Sequence, residues 1–337
     1  MPAMLNRSMP NRSATTGSVR LSTSTDNPDT LSKRGAILAA SIEIAPGQIE
    51  RQPEVLKHIP PATRTYIVDL GTKSPKEWAA LCRQLVNNGL EPVPHIGTRR
   101  LASSQELRDR LTAMTEEAGV RDVLLIAGEA DRQVGPYKSS MDVLETGILD
   151  QLGVKRIAVA GHPEGNPAIA EAQANEALAL KQAFSVRTGA DMRIVTQFGF
   201  QAEAAIAWAA RLQAAGMDLP VHLGIAGPAS ITSLLKFAAM CGVKASSQFL
   251  AKKGSAVTSL MTNHTPDQYV KPVEEHVAAH TACLIKQFHV FPFGGIARSS
   301  EWLCARGSWN SDARAVFEQN GKALNLGSTG ITPQKFG

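Results

Sequence analysis

Residues 158–167 read AVAGHPEGNP, an apolar run that ends in a polar loop rich in glycine and proline. A helix-forming stretch opens directly after this loop, at Ala168. Strand, polar loop and helix in this order form the unit of parallel α/β proteins, whose chemistry is carried by the loops at the carboxyl ends of the strands. A loop stiffened by two prolines is also an ordinary turn, so the rest of the chain has to decide whether this one is functional.

The same unit recurs along the chain from Gly35. Eight short apolar runs, mostly separated by about 25–35 residues as in successive βα units, predict buried strands. The predicted strands are Ala36–Ile44, Thr65–Leu70, Glu91–Ile96, Asp122–Ala127, Arg156–Ala160, Arg193–Phe198, Pro220–Ile225 and Gln287–Phe291. Helical patterns occupy most intervals, at Pro75–Asn88, Ser104–Ala118, Asn166–Arg187, Ala202–Ala215 and Ile231–Cys241. Eight strands alternating with helices predict an α/β protein with a single (β/α)8 TIM barrel, and a doubly wound open sheet is the alternative.

The predicted barrel domain covers residues 34–310. Residues 1–33 are rich in Ser, Thr, Asn and Arg and nearly lack large apolar side chains, so we expect a disordered N-terminal extension. Because no acid precedes Asp26, this extension resembles a transit peptide, although a bacterial extension is the interpretation we prefer. The long interval Lys244–Ala278 predicts an extra helix or loop, and residues 311–337 are expected to form a C-terminal tail.

Composition argues against several classes of protein. The 337 residues are 43% hydrophobic and only 5% aromatic, with a net charge of +5. No basic stripe interleaved with aromatic residues is present, so we expect no nucleic-acid partner. No apolar run approaches the roughly 20 residues of a membrane span, so we expect no membrane partner either. Four cysteines without a C-x-x-C pair favour a reduced, cytoplasmic protein over a disulfide framework or a zinc site, and we expect no metal.

Polar side chains follow most of the predicted strands, at the point where each strand ends. They are Glu43, Asp69, His95, Glu129, His162, Glu164 and Gln197. Because the carboxyl ends of barrel strands meet at one mouth, these side chains predict an active site there. No G-x-G-x-x-G or Walker loop is present, which disfavours a Rossmann dinucleotide domain.

Each of these residues also has a purely structural interpretation. Glu43 alternates with Ile42 and Ile44, so its side chain either lines the barrel or faces outward. Asp69 is expected to cap the turn that follows it, and His95 is as easily a structural histidine as a functional one. The amide of Gln197 more often binds a ligand than fills a core.

AVAGHPEGNP is followed by IVTQFGF at Ile194–Phe200, GIAGPAS at Gly224–Ser230 and KFAAMCGV at Lys236–Val243. In their residues and their order, these motifs resemble the methylenetetrahydrofolate reductase family. SIEIAP around Glu43, PHIG around His95 and FHVFPF at Phe288–Phe293 fall in the family's order. The resemblance extends from about Ala36 to Leu303.

The resemblance implies a (β/α)8 barrel that reduces methylenetetrahydrofolate to methyltetrahydrofolate with NAD(P)H, usually through bound FAD. By position, Glu43 resembles the catalytic acid that protonates folate N10 and opens the imidazolidine ring. Gln197 resembles the amide that holds the pterin, with Phe198 beside it. Glu129 occupies the place of an aspartate near flavin and folate. The resemblance also implies a homo-oligomer and a role in one-carbon metabolism, with methionine biosynthesis as one use.

The cofactor side departs from the family's pattern. His95 resembles a flavin-contacting histidine, and Ala127 with Gly128 stands in the family's flavin-binding segment, where Ala127 replaces an arginine. His162 replaces a tyrosine and Asn166 a second histidine in the loop after the fifth strand. The family therefore implies FAD with NAD(P)H as reductant, while a flavin-independent enzyme that transfers hydride directly stays open. A folate-binding barrel methyltransferase and a non-catalytic partner subunit are further alternatives.

Overall fold

A computed structural model of the chain describes residues 36–128, 133–240 and 263–313, together with residues 315 and 319. The predicted N-terminal extension lies outside the described residues, and so does nearly all of the predicted C-terminal tail.

Eight parallel strands close into a barrel, as the sequence predicts. They are β1 (Ala40–Ile44), β2 (Arg64–Ile67), β3 (Glu91–Gly97), β4 (Asp122–Ile126), β5 (Arg156–Gly161), β6 (Asp191–Gly199), β7 (Val221–Ala226) and β10 (Ile285–Phe291). Their order around the barrel is β1-β10-β7-β6-β5-β4-β3-β2. Two short strands, β8 (Ala229–Ser230) and β9 (Asn263–His264), pair antiparallel outside the barrel. The closed order confirms the (β/α)8 barrel and excludes the open sheet.

Helices alternate with the strands, and one lies in each of the five intervals where the sequence predicts a helix. They are α1 (Pro46–Arg51), α2 (Pro75–Asn87), α3 (Ser104–Ala118), α4 (Ser140–Leu144), α5 (Ile148–Gln151), α6 (Glu171–Thr188), α7 (Ala202–Ala214), α8 (Ile231–Met240), α9 (Asp267–Ala279) and α10 (Ile296–Ala305). Short 3-10 helices cover Pro53–His58 and Thr98–Arg100. Within the described ranges, no helix is both long and apolar enough to cross a membrane.

Capping side chains decide where two of these helices begin. The Ser74 side chain accepts a hydrogen bond from the Glu77 N–H, and the Glu77 carboxylate accepts one from the Ser74 N–H at 2.8 Å, which forms a capping box. Ser103 accepts from the Glu106 N–H at 3.1 Å. Both helices begin at the predicted residues, Pro75 and Ser104, and each has an acid in its first turn.

Two predicted starts were wrong by four residues or more. The helix expected from Asn166 begins at Glu171, because the Asn166 side-chain oxygen accepts from the Ala168 N–H at 2.8 Å and forms a turn instead. The first strand begins at Ala40 rather than Ala36. Before it, the Leu38 N–H donates to the Glu274 carboxylate on α9 at 2.8 Å rather than to a neighbouring strand.

Alternate residues on each strand face opposite sides of the barrel wall. Ile42 and Ile44 belong to the core between strands and helices. A separate cluster fills the barrel interior, with members Tyr66, Val93, Leu124, Ala158 and Val195 from five successive strands. Because side chains alternate along a strand, Glu43 lies on the inner side, between two isoleucines that face outward.

A cluster of charged side chains, two of them buried, occupies the amino-terminal end of the barrel. The Asp122 carboxylate at the start of β4 accepts from Arg193 at 2.9 Å and from Arg156 at 3.0 Å, and Arg64 lies 3.6 Å away. Arg193 also donates to the Tyr66 hydroxyl at 2.7 and 2.9 Å. These charges hold one another at the end of the barrel opposite the mouth.

Candidate active site

Glu43 lies inside the barrel between two buried histidines. Its carboxylate oxygen Oε2 is 3.7 Å from His95 Nε2 and 3.6 Å from His289 Nε2. The Glu43 side chain is 18% exposed, so a ligand can reach it although most of it is shielded from water. The two histidine Nε2 atoms are buried and have no hydrogen-bond partner among the described residues. A buried polar atom without a hydrogen-bond partner lowers the stability of the fold. Two such atoms beside one carboxylate are typical of an active site.

Sequence reasoning missed His289. The signal was present, because Gln287, His289 and Phe291 alternate on β10 and the last strand of a barrel must pair with the first. β1 and β10 pair with Ser41 opposite His289, and the Ser41 hydroxyl oxygen lies 3.0 Å from His289 Nδ1. The side chains of Ser41 and Glu43 thus meet the two nitrogens of one imidazole.

His95 is buried beside Glu43. Burial lowers the pKa of His95, and the nearby Glu43 carboxylate opposes this only in part. His95 is therefore neutral at neutral pH. The structure brings it next to the predicted catalytic acid, while its contact with a flavin stays a prediction.

Asp69 has the capping role that the sequence predicts. It also forms an ion pair with Arg110, which the sequence did not reveal. Its carboxylate accepts from the Gly71 N–H at 2.9 Å, from the Gly97 N–H at 3.0 Å and from Arg110 Nη1 at 2.9 Å. Arg110 also donates to the His95 carbonyl at 2.7 Å. Burial raises the pKa of Asp69, but Arg110 and the backbone donors outweigh burial and hold it below its ordinary value. This ion pair fixes the end of β3, where His95 lies.

Gln197 lies at an irregularity of the barrel. The pairing of β6 with β7 shifts register between Val195 and Phe198, as at a β-bulge. The Gln197 side-chain oxygen accepts from the Phe198 N–H at 3.1 Å, which orients the amide. A Cβ at Gly224 on β7 would collide with the carbonyls of the bulge, so only glycine fits there.

Phe198 is part of an aromatic wall at the ends of β6 and β10. It is only 1% exposed, and its ring centroid lies 5.3 Å from Phe291, 4.8 Å from Phe293 and 6.0 Å from Phe200. Phe291 and Phe293 are half-buried. A ligand in the mouth would therefore meet Phe291 and Phe293 before Phe198.

The ends of β3 and β4 form the predicted flavin side. The Ala127 carbonyl accepts from the Arg99 N–H at 3.0 Å, and Gly128 has a left-handed φ of +85°. The guanidinium of Arg100, a second residue that sequence reasoning missed, donates to the Asp69 carbonyl at 3.1 Å. The Arg100 side chain also lies within about 4 Å of where a Cβ on Gly128 would be. Consecutive arginines directly after β3 were the available signal.

The loop after β5 has mostly structural hydrogen bonds. Asn166 holds the turn described above. The Glu164 carboxylate accepts from the Phe200 N–H at 2.6 Å and the Gln201 N–H at 2.9 Å, which ties this loop to the start of α7. His162 is half-buried, and burial lowers its pKa with a smaller contribution from Lys181. Glu129 lies outside the described residues.

The sequence matches a known protein family and several of its members. The family model described as methylenetetrahydrofolate reductase matches residues 69–279, which is more than half of the chain. The 5,10-methylenetetrahydrofolate reductase of Pectobacterium carotovorum subsp. carotovorum is 32% identical over 157 residues, or 46% of this chain and 50% of the relative. That of Salmonella typhimurium is 31% identical over 160 residues, with the same shares. The chain thus matches about half the length of these relatives.

A solved structure shares the fold. It is an uncharacterized protein from Clostridium thermocellum that binds two copies of 5-methyl-5,6,7,8-tetrahydrofolic acid. The TM-score is 0.52 at 12% identity, over 83% of this chain and 96% of the other. The extent of the family match, over more than half of the chain, shows that the chain belongs to the methylenetetrahydrofolate reductase family.

Proposed function

We propose that this chain reduces 5,10-methylenetetrahydrofolate to 5-methyltetrahydrofolate, with NAD(P)H as the reductant. The observation that carries the proposal is the Glu43 carboxylate, held inside the barrel mouth between His95 and His289 in a member of this family. An acid in such a position suits a reaction that must protonate a nitrogen of its substrate before hydride can arrive.

Glu43 is the proposed general acid. The bond between the methylene carbon and folate N10 breaks, its electron pair stays on N10, and the proton of the Glu43 carboxyl moves to that nitrogen. The remaining iminium accepts hydride. Because Glu43 is mostly shielded from water, its proton is delivered to a bound substrate rather than exchanged freely.

We propose that residues of β6 bind the pterin ring of the substrate. The amide of Gln197 is oriented by the Phe198 N–H and would pair with the donor and acceptor edge of the pterin. The aromatic wall that contains Phe198 would cover the pterin face. We also propose that Glu129 contacts the folate.

The family generally uses a flavin and a nicotinamide reductant. Although Ala127 offers no cation, Arg100 brings a guanidinium beside Gly128, so the ends of β3 and β4 fit an anionic dinucleotide. We propose that Arg100, the Ala127–Gly128 backbone and His162 hold FAD. Bound FAD would carry hydride from NAD(P)H to the folate.

A visible spectrum followed by mixing with NADH or NADPH and methylenetetrahydrofolate tests the proposal. Bound flavin with nucleotide oxidation supports it, and oxidation without flavin supports direct hydride transfer. If neither nucleotide is oxidised, both reductase mechanisms fail and the folate-binding methyltransferase becomes the better hypothesis.

The variant Glu43→Gln tests the role of the acid. We expect folate reduction to fall at least 100-fold, roughly the contribution of a general acid, while flavin reduction by NAD(P)H largely survives. Stopped-flow absorbance separates the two half-reactions. Glu50→Gln, which changes an exposed acid on α1, is the matched control. Equal loss of both half-reactions would contradict the acid role.

A further inference from the structure

Whether Glu43 can act as an acid depends on which atoms of the neighbouring side chains carry protons. His289 is fully buried, and its Nε2 faces the Glu43 carboxylate at 3.6 Å. A neutral imidazole carries a proton on only one of its two nitrogens. If Nε2 carried it, His289 would donate to the Glu43 carboxylate and favour the ionised form. If Nε2 is bare, its lone pair faces the carboxyl group and disfavours a negative charge there.

The hydroxyl of Ser41 distinguishes the two forms. Its oxygen lies 3.0 Å from His289 Nδ1 and 3.3 Å from the Phe288 carbonyl oxygen. The carbonyl can only accept, and the hydroxyl has a single proton to donate. When that proton goes to the Phe288 carbonyl, the Ser41 oxygen must accept from His289, which requires the proton on Nδ1.

We propose that Ser41 holds His289 as the Nδ1–H tautomer, so that a bare Nε2 faces Glu43 and keeps a proton on its carboxyl. Ser41 and His289 are positioning residues, and the proton that reaches the substrate belongs to Glu43. The role of this arrangement in catalysis rests on the proposed function. The tautomer of His289 does not depend on that function.

Apart from Glu43, the titratable groups that face His289 carry no charge at neutral pH. They are Tyr66 on β2, His95 on β3 and His222 on β7. Burial raises the pKa of Tyr66, lowers that of His95 and lowers that of His222 to about 2, so all three are neutral at neutral pH.

Charged groups lie one layer further away. Arg193 donates to the Tyr66 hydroxyl, and Arg110 donates to the His95 carbonyl and to Asp69. Both guanidinium groups are therefore already paired with carboxylates, Arg193 with Asp122 and Arg110 with Asp69.

Nitrogen-15 NMR of the histidine rings tests the tautomer in the whole protein, whether or not it reduces folate. We expect a protonated Nδ1 and a bare Nε2 for His289, assigned by the signals that disappear in His289→Gln. In Ser41→Ala the proton should move to Nε2, whereas Ser41→Thr, which keeps the hydroxyl, should retain it on Nδ1. Ser300→Ala, which removes another buried hydroxyl bound to a carbonyl, is the control. Protonated Nε2 in the unchanged protein would overturn the proposal.

The pH dependence of folate reduction tests the link to Glu43. In Ser41→Ala we expect the alkaline limb of the kcat/KM profile to move about one unit to lower pH, a roughly tenfold loss at fixed pH on that limb. Ser41→Thr and Ser300→Ala should keep the limb in place. A limb that does not move in Ser41→Ala contradicts the link. If the unchanged protein shows no folate reduction, the proposed function fails, and the NMR result still decides the tautomer.

Discussion

Lys181 on α6 carries a buried charge. It is only 8% exposed, and no carboxylate within the described ranges forms an ion pair with it. Burial lowers the pKa of Lys181 from 10.5 to about 8. Below pH 8 the folded and unfolded states both carry the proton, and the folded state bears the cost of burying it. Between about pH 8 and 10.5 the unfolded state binds more protons, so the stability of the protein rises with pH.

We therefore expect Lys181→Met to be more stable than the unchanged protein at pH 7. The gain is at most about 3 kcal/mol in the free energy of unfolding, from the size of the pKa shift. The variant should also lose the rise in stability between pH 8 and 10.5. Urea titrations at pH 7 and pH 10 measure both effects, with the exposed Lys286→Met as control. Destabilisation at pH 7 would contradict an unpaired charge.

At the scale of elements, the Asp69–Arg110 pair joins β2, β3 and α3. Asp69 also accepts from the Gly97 N–H, and Arg110 also donates to the His95 carbonyl. The ion pair therefore fixes the position of the end of β3, which carries His95. Asp69 has a lowered pKa in the folded state. Its contribution to stability is thus present above the ordinary carboxyl pKa and is lost as the pH falls through the lower, folded value.

Asp69→Asn should destabilise the protein by roughly 3–5 kcal/mol at pH 7, because it leaves the Arg110 charge buried without its partner. The difference between the two proteins should shrink as the pH falls and Asp69 becomes protonated. Urea titration across acid pH measures this. Asp109→Asn, next to Arg110 on the exposed side of α3, should change little. A difference that does not depend on pH would argue against the ion pair.

At the scale of the molecule, residues from both ends of the described chain close the barrel. The Trp309 indole N–H, after α10, donates to the Ala40 carbonyl on β1 at 2.8 Å. The Glu274 carboxylate on α9 accepts from the Leu38 N–H and from Arg306 at 2.6 Å. The first strand is therefore held by residues more than 230 positions later in the chain.

Trp309→Phe removes that indole donor and keeps an aromatic ring. We expect a loss of about 1–3 kcal/mol in the free energy of unfolding, since the buried Ala40 carbonyl loses a hydrogen bond. Trp302→Phe is the matched control, because its indole N–H pairs with Asp267 at the surface. Thermal and urea unfolding measure both variants, and equal losses would show that the Ala40 contact contributes nothing.

Local signals in the sequence determined the eight strands, the barrel and the starts of the helices at Pro75 and Ser104, because periodicity acts over a few residues. The alternation around Glu43 likewise predicted its inward position as one of two choices. The contacts of His289, Arg110 and Glu164 could not be assigned this way. Their roles depend on contacts 15 to 248 positions apart, among them Ser41 with His289 and Glu164 with Phe200.

By itself, the sequence determined the fold, the mouth of the barrel and the candidate acid. Only the tertiary structure decided which neutral and charged groups surround that acid. The physical reason is barrel closure. Pairing β1 with β10 joins the two ends of the sheet and brings the Ser41 hydroxyl and the Glu43 carboxylate to the two nitrogens of His289.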